Sequence, residues 1–458
     1  MASSSARTTL AVVAAVALGA TVIQTFVPIL GAPGPLGQFS DETLNVAVAL
    51  NCFTRLLCTF EPDKPYGGAF FPEMTTGLLS TWPSAIGWTL GGDLIGARIA
   101  LIVYDLVLLL GVGYAAMRTV FRLERALALS LAALVCAAVL LVIPDAPWIV
   151  VHVQGELSGA AWLAAGYLLL PSYPRLAALV LGLCVWHTKI IYAPFALVGI
   201  ARSAWTNAPS WPRRARLLLV QLLVFLVPLV GWMLLILIRI GSDGFAVWWT
   251  GHLNWFVQGH SGLSGGPFVR GLWQRLASPR LDWRDLTLAT KARVLALLFV
   301  PPVVLVATVV RRRRAGERNT TDDFLRLALA GLGLVFAWWY FFWNDFMWVR
   351  HIDPMLIVGL AVLGYSAARA MERASPARRA TAVAGFAGVI LLEAALGVPS
   401  AVAALRSSSL ATSATRYCRS DTPWSAAPWP ICVRLAVGTP RPLPSPRPTV
   451  TPEASTES

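Results

Sequence analysis

Long apolar stretches alternate with short polar connections along most of this chain. A helix that crosses a bilayer needs about 20 predominantly apolar residues. We predict eight such helices, at about residues 10–30, 97–117, 126–144, 217–240, 294–310, 324–343, 354–369 and 381–398. The pattern therefore predicts an all-α, polytopic transmembrane helix bundle.

Three shorter apolar pieces, 157–170, 176–187 and 190–200, bring the predicted total to about eleven segments. The 26 residues between Arg175 and Arg202 are too few for two full crossings. We predict two short helices here that meet at Trp186–Lys189. Because irregular backbone at membrane depth must line protein or water, we also expect a cavity open to the outside.

Composition and charge support a membrane protein with a defined orientation. Hydrophobic residues make up 57% of the 458 positions and charged residues 13%, and the mean hydropathy is +0.65, which excludes an ordinary soluble domain. With the N-terminus placed in the cytoplasm, 19 Lys and Arg residues fall inside and 5 fall in short outer loops. The net charge of +14 is therefore a signal of topology and does not indicate a nucleic-acid partner. We expect a multi-pass plasma-membrane protein with an extracytoplasmic C-terminus.

This topology divides the chain into three parts. Residues 1–398 form the transmembrane module, 399–436 a small extracytoplasmic cap with two cysteines, and 437–458 a disordered Pro/Ser/Thr-rich tail. The segment 70–92, which two prolines interrupt, is interpreted as an interfacial helix. Cysteines on the outer side form disulfides in an oxidising compartment, with three connectivities open. The candidates are Cys52, Cys58, Cys418 and Cys432.

Sixteen of the 23 acids and all five histidines map to the outer side, so we expect function there. Asp41 and Glu42 follow Ser40 in the first outer loop, at a predicted helix start. Either they only complement the helix dipole, or they are catalytic carboxylates. Further along the chain, His152 and Glu156 lie at the outer mouth of the third and fourth segments, where the acid has the same two interpretations.

Two cations stand beside apolar segments. Lys189, between two short helices, needs an anionic partner, which is either a substrate phosphate or an acid, Glu156 or another, in a structural ion pair. Arg350 and His351, at the outer end of a span, are suited to gripping a phosphate or to anchoring the helix at the interface. The long outer loop 239–293 contains the aromatic sequence "VWWTGHLNWF", which includes Trp255 and offers a surface for glycans.

These motifs, in this order, resemble the GT-C superfamily of polyprenyl-phosphate-sugar glycosyltransferases. They are "SDE" in the first outer loop, "TTG" before the second span, "GE" opening the fourth segment, "LGLCVWHTK" and "RHIDP", and the resemblance covers about residues 10–370. It implies a membrane glycosyltransferase of the cell envelope that takes a polyprenyl-phosphate-linked sugar, for example mannose or arabinofuranose. The acceptor would be an extracytoplasmic glycan, lipid or protein. The chain departs from the superfamily in lacking a large soluble C-terminal domain.

The resemblance also implies residue roles. Asp41 would be the general base, Glu42 its acidic neighbour, and Lys189 and Arg350 the cations around the lipid phosphate. Glu156 is a further catalytic candidate, while His351, His152 and Trp255 are candidates for binding substrate. Two carboxylates with histidines could instead hold a divalent metal ion, so metal dependence stays open.

Two other functional classes remain. A polysaccharide polymerase or ligase would use similar lipid-linked substrates and a large outer loop. A transporter would have intramembrane charge, but its internal repeats should produce broken helices in both halves, and only one is visible here. The sequence contains no Walker loop, no GxGxxG after a strand, no CxxC and no HExxH motif, so it gives no sign of an ATPase, a dinucleotide enzyme or a zincin.

The first testable prediction concerns orientation. Single cysteines placed at Arg314 and Arg378 should react only with membrane-permeant reagents in intact cells, because both sites are predicted to be cytoplasmic. Cysteines at Ser264 and Ser408 should react with impermeant reagents. The reverse pattern at Ser264 and Arg314 would overturn the topology.

Overall fold

The computed structural model describes residues 4–30, 41–55, 77–143, 146–151, 155–255, 287–316, 320–343, 352–372 and 375–407. Every regular element in these ranges is helical. The α-helices are α1 Ser4–Leu30, α2 Asp41–Arg55, α3 Leu78–Gly91, α4 Leu94–Thr119, α5 Arg125–Val142, α6 Ala146–Val151, α7 Glu156–Leu169, α8 Pro174–His187, α9 Ala193–Asn207, α10 Trp211–Trp255, α11 Leu288–Arg314, α12 Thr320–Trp338, α13 Asp353–Glu372 and α14 Pro376–Ser407.

Seven of these helices are long and apolar enough to cross a membrane. The candidate spans are Thr8–Leu30, Leu94–Thr119, Arg125–Val142, Trp211–Thr250, Leu288–Arg314, Asp322–Phe341 and Ala380–Pro399. They confirm seven of the eight long predicted spans and the all-α class. The eighth, 354–369, is helical in α13, although it is not among the seven candidates. The total of eleven segments stays a prediction.

The hairpin of two short helices forms as predicted. Helices α8 and α9, of 14 and 15 residues, each rise only about 21–23 Å, which is less than the roughly 30 Å of a bilayer core. A turn containing the short 3₁₀ helix Ile190–Tyr192 joins them. Gln221 of α10 donates to Pro174 O and to Ser203 Oγ, both at 3.1 Å, so one side chain ties the open ends of the hairpin together.

Contacts between distant residues divide the helix ends into two sets. At one end, Arg98 at the start of α4 donates to Ile29 O and Leu30 O at 2.6 and 2.8 Å, and so caps the last turn of α1. Arg293 at the start of α11 donates to Leu141 O near the end of α5 at 3.0 Å. We call this the junction end.

At the opposite end, which we call the arginine end, a second set of helix termini meets. Arg202 near the end of α9 pairs with Asp322 at the start of α12 at 2.9 Å. The Arg369 guanidinium in the last turn of α13 lies 5.6 Å from the centroid of Phe121, which follows α4. The alternation of ends therefore agrees with the predicted topology, in which the junction end is outer and the arginine end is cytoplasmic. The absolute orientation stays a prediction.

The predicted interfacial segment forms helix α3, which packs against the bundle, and its position at the membrane interface stays a prediction. In α3 the buried residues include Ser80, Thr81 and Ser84, and this helix contacts α2, α4 and α8. Its close neighbour is α4, where the backbones approach at a glycine: a Cβ on Gly96 would lie 2.5 Å from Gly87 O. Small residues allow apolar helices to approach this closely in a membrane, where van der Waals packing drives association.

This crossing yields a stability prediction. Gly96→Ala should lower the melting temperature of the detergent-purified protein, because the new methyl group overpacks the α3–α4 contact. Overpacking of this kind typically lowers the free energy of unfolding by about 1–3 kcal/mol. Gly111→Ala on the same helix is the matched control, since its Cβ would meet nothing within 4 Å. An equal effect of both substitutions would contradict the close approach of α3 and α4.

Candidate functional site

Four distant segments meet at the junction end of the bundle. They are 77–80 at the start of α3, 155–158 at the start of α7, 188–192 between α8 and α9, and 352–353 at the start of α13. We call this meeting point the junction. Its segments carry the "TTG" glycine, the "GE" pair, the "TK" of "HTK" and the "ID" of "RHIDP". Motifs separated by up to about 280 residues along the chain therefore contribute to one region.

The turn after α8 is held first by backbone contacts with α3. The N–H of Gly77 donates to Thr188 O at 2.8 Å. A Cβ on Gly77 would lie 2.0 Å from the carbonyl carbon of His187, so only glycine permits this approach. The carbonyl of Thr188, left without a helical partner where α8 ends, is thereby satisfied inside the protein.

The start of α7 closes the junction from another side. Gly155, immediately before the helix, has φ +77°, a left-handed conformation that favours glycine. A side chain there would also meet Ser80 Oγ and Thr188 O, at 2.8 and 2.9 Å from its Cβ. The hydroxyls of Ser80 and Ser158 are hydrogen-bonded at 2.9 Å. The backbone conformation and the close contacts at Gly155 therefore explain why a glycine precedes the acid of the "GE" pair.

A buried ion pair lies at the centre of the junction. Lys189 Nζ is 3.0 Å from Glu156 Oε1, and the two side chains are only 12% and 2% exposed. The Tyr192 hydroxyl donates to Glu156 O at 2.6 Å, and Tyr192 itself is fully buried. The sequence left Lys189 either a substrate phosphate or an acid, Glu156 or another, as its partner, and the structure contains the pair with Glu156. A further contact of Lys189 with phosphate, and a catalytic role for Glu156, stay predictions.

Two more acids belong to this region. Asp353, at the first position of α13, is fully buried and lies near Tyr192. Asp105 of α4 is 8% exposed and lies near Glu156. Sequence reasoning did not select Asp353 or Tyr192 as site residues. Asp353 precedes Pro354 at a helix start, which is an ordinary terminus signal, and Tyr192 belongs to no recognisable motif.

Helix α2 begins at Asp41, with Glu42 as its second residue, so the predicted helix start is confirmed. The side chains of both acids lie outside the described part of the structure. Further along α2, Val48 is buried in a cluster with Trp232 and Trp248, and Leu78 at the start of α3 packs against that cluster. The helix that begins with Asp41 is therefore anchored beside the α3 segment of the junction.

Other predicted site residues fall outside the described part of the chain, namely His152, Arg350 and His351. Trp255 is the last residue of α10, and its side chain is likewise undescribed. Within the ranges that the structure covers, no group of three or more His, Cys, Asp or Glu side chains could hold a metal ion. Metal dependence therefore stays open.

The predicted outer loop 239–293 begins as helix. Helix α10 breaks at Gly241, with φ 74° and ψ 175°, and helical structure then continues to Trp255. Trp248 is buried against α2, while the rings of Phe245 and Trp249 are nearly parallel with centroids 6.4 Å apart. The aromatic sequence thus forms a packed cluster next to α2.

Cys52 of α2 is disulfide-bonded, in agreement with at least one disulfide among the outer cysteines. Its partner is not among the described residues, and the other three candidates, Cys58, Cys418 and Cys432, also lie outside them. The connectivity stays a prediction.

Comparison with known proteins gives a distant likeness. No protein-family model and no curated protein matches the chain. A solved structure of ArnT from Cupriavidus metallidurans bound to undecaprenyl phosphate matches with a TM-score of 0.45 and 17% identity, covering 91% of this chain and 75% of that chain. The apo structure of the same protein matches with a TM-score of 0.44 and 15% identity, covering 90% and 75%. Likeness at this level establishes neither membership of a family nor a shared activity.

The ion pair yields the next prediction. Lys189→Met should destabilise the protein strongly, because the buried carboxylate of Glu156 would lose its partner. Removing one partner of a buried ion pair typically lowers the free energy of unfolding by about 3–5 kcal/mol. Adding Glu156→Gln removes that charge and should restore much of the melting temperature. Lys291→Met on α11 is the control for the loss of a lysine. A single Lys189→Met variant as stable as this control would contradict a structural role for the pair.

Proposed function

We propose that this chain is a membrane glycosyltransferase that moves a sugar from a polyprenyl-phosphate-linked donor to an extracytoplasmic glycan, lipid or protein acceptor. One observation carries the proposal. The segments bearing "TTG", "GE", "HTK" and the end of "RHIDP" meet at one end of an apolar helix bundle, around buried charged side chains. The resemblance of the chain to the GT-C superfamily rests on these motifs. Their meeting at one place supports a shared role in one site.

The location suits a lipid-linked substrate. A polyprenyl chain partitions into the bilayer, and its phosphate stays at the membrane surface, where the ends of the spanning helices lie. Buried charge at such a position is expensive in a membrane protein and is typical of functional sites. Transfer at the junction end would allow the acceptor to approach from the aqueous side.

The proposed reaction is a single displacement. The acceptor hydroxyl transfers its proton to the Asp41 carboxylate while its oxygen bonds to the anomeric carbon of the sugar. The bond from that carbon to the phosphate oxygen breaks, and the polyprenyl phosphate leaves with the electron pair. Attack from the face opposite the leaving group inverts the anomeric centre. A positioned base of this kind contributes about 10² to 10⁴-fold.

In this proposal, cations stabilise the leaving phosphate as its charge grows. Lys189 is held by Glu156, and 12% of its side chain remains exposed. Arg350 stands three positions before Asp353, the buried first residue of α13. Glu156 would therefore position a cation and need not act on the substrate, whereas Glu42 would tune the neighbouring base.

The test of the activity compares cells with and without the gene. Loss of the protein should cause a polyprenyl-phosphate sugar to accumulate and one glycan of the cell envelope to lose that sugar. Purified protein with the accumulated lipid should then restore the transfer. Unchanged pools of lipid-linked sugars and unchanged envelope glycans would refute the proposal. A lipid-linked sugar that only crosses the membrane intact would favour a transporter.

The general base has its own prediction. Asp41→Asn preserves the shape of the side chain but removes its basicity, so turnover by the purified protein should fall at least about 100-fold while donor binding survives. Asp243→Asn, at an exposed acid of α10, is the matched control and should keep full activity. Near-normal turnover of Asp41→Asn beside an inactive Glu42→Gln or Glu156→Gln would assign the base to that other residue.

A further inference from the structure

His187, the last residue of α8, ties the end of that helix to α10. Its ring Nε2 lies 3.2 Å from the backbone oxygen of Pro228. A carbonyl oxygen can only accept, so Nε2 carries the proton and donates. The next residue, Thr188, accepts from the N–H of Gly77 at the start of α3. The end of α8 is therefore fixed to both α10 and α3, in addition to the ion pair of the junction.

The hydrogen bond of His187 belongs to a close contact between α8 and α10. Trp186 Nε1 donates to Phe225 O at 3.2 Å, and a Cβ on Gly182 would collide with that same oxygen. Pro228 has no N–H to donate within α10, and neighbouring helices commonly supply hydrogen bonds around a proline in a membrane helix. Two adjacent side chains of α8 thus bond to the backbone of α10 near its proline.

This tether determines where the backbone of Lys189 lies. Lys189 follows His187 by two residues, and its N–H donates back to Cys184 O, in the last turn of α8, at 3.0 Å. Glu156 Oε1 holds the ammonium group at 3.0 Å. A shift of α8 relative to α10 would therefore either move the ammonium group or break the ion pair.

The ring of His187 also contacts the cluster that anchors α2. It meets the ring of Trp232 edge to face, with centroids 5.7 Å apart and planes at 89°. Trp232 is buried in the cluster that includes Val48 of α2 and Trp248. Val48 follows Asp41 by seven residues, about two helical turns. One imidazole thus connects the turn that carries Lys189 with the helix that begins at Asp41.

We propose that His187 is a positioning residue for the transfer reaction. Its bond to Pro228 and its contact with Trp232 hold Lys189 in register with α2. The inference rests on the proposed function, in which a base on α2 accepts the proton of the acceptor while Lys189 stabilises the leaving phosphate. Misplacement of a reacting group by about 1 Å can cost about 100-fold in rate, so the distance between the two elements matters.

Two amide variants separate positioning from stability. His187→Gln places an N–H near the position of Nε2 and should keep the bond to Pro228, whereas the amide of His187→Asn is one carbon shorter and should lose it. In purified, folded His187→Asn, kcat should fall at least about tenfold with a nearly constant KM for the lipid donor, because Lys189 acts on charge that grows in the transition state. His187→Gln should recover most of this kcat.

Gln221→Met is the matched control. It removes two hydrogen bonds from the open ends of the same hairpin, so it should lower the melting temperature and keep kcat. Equal kcat values in His187→Asn and His187→Gln would overturn the positioning role. A fall in kcat of Gln221→Met as large as that of His187→Asn would overturn it as well, because any weakening of the hairpin would then suffice.

Lysine modification tests the same contact without relying on catalysis. The chain has only three lysines, Lys64, Lys189 and Lys291. Brief reductive methylation of the full-length protein, followed by mass spectrometry of its peptides, gives the rate at Lys189 relative to Lys291. This ratio should rise about tenfold in His187→Asn, the upper range for one lost hydrogen bond, and stay unchanged in Gln221→Met.

The two measurements distinguish failure of this inference from failure of the proposed function. An unchanged methylation ratio in His187→Asn would overturn the positioning role even in an active glycosyltransferase. A wild-type protein without transfer activity would instead refute the proposed function, and the ratio would still decide whether His187 holds Lys189. If His187→Asn does not fold, Trp232→Phe takes its place, since the smaller ring withdraws from the imidazole and should raise the same ratio.

Discussion

A pair of helices too short to cross the membrane imposes the constraint on which the junction depends. Helices α8 and α9 turn back at residues 188–192, and the polar groups of that turn must find partners within the bundle. The start of α3 satisfies the Thr188 carbonyl, and the start of α7 supplies Glu156 for Lys189. The other elements of the junction follow from this need, because each one closes a side of the turn.

Close packing at the junction explains its glycines and its buried tyrosine. Gly77 and Gly155 allow backbone to approach backbone, and a methyl group at either position would occupy space that the turn already fills. The Tyr192 hydroxyl donates to the backbone carbonyl of Glu156. An ion pair whose residues are fixed by such contacts loses little conformational entropy when a substrate arrives, and such preorganisation is what stabilises charge in a transition state. In the proposed reaction the same contacts that fold the hairpin therefore also position a cation.

The two ends of the bundle use charge differently. At the junction, a single buried lysine is balanced by an acid, and further acids lie close by. At the arginine end, Arg202 pairs with Asp322 and Arg313 lies 3.5 Å from Asp323 at the start of α12. In the predicted orientation, the acid-rich polar site of the junction lies on the outer side, where we propose catalysis.

The sequence by itself determined the helical class, seven of the long spans, the short hairpin and the helix start at Asp41, because hydropathy and cap residues are local properties of the chain. It also indicated that Lys189 needs an anionic partner, because an intramembrane cation is costly without one. Only the tertiary structure selected Glu156, brought Asp105 and Asp353 to the same region, and packed α3 into the bundle. Those outcomes depend on which helix faces meet across more than 200 residues of sequence, and helix-to-helix pairing leaves no periodic signal in any one segment.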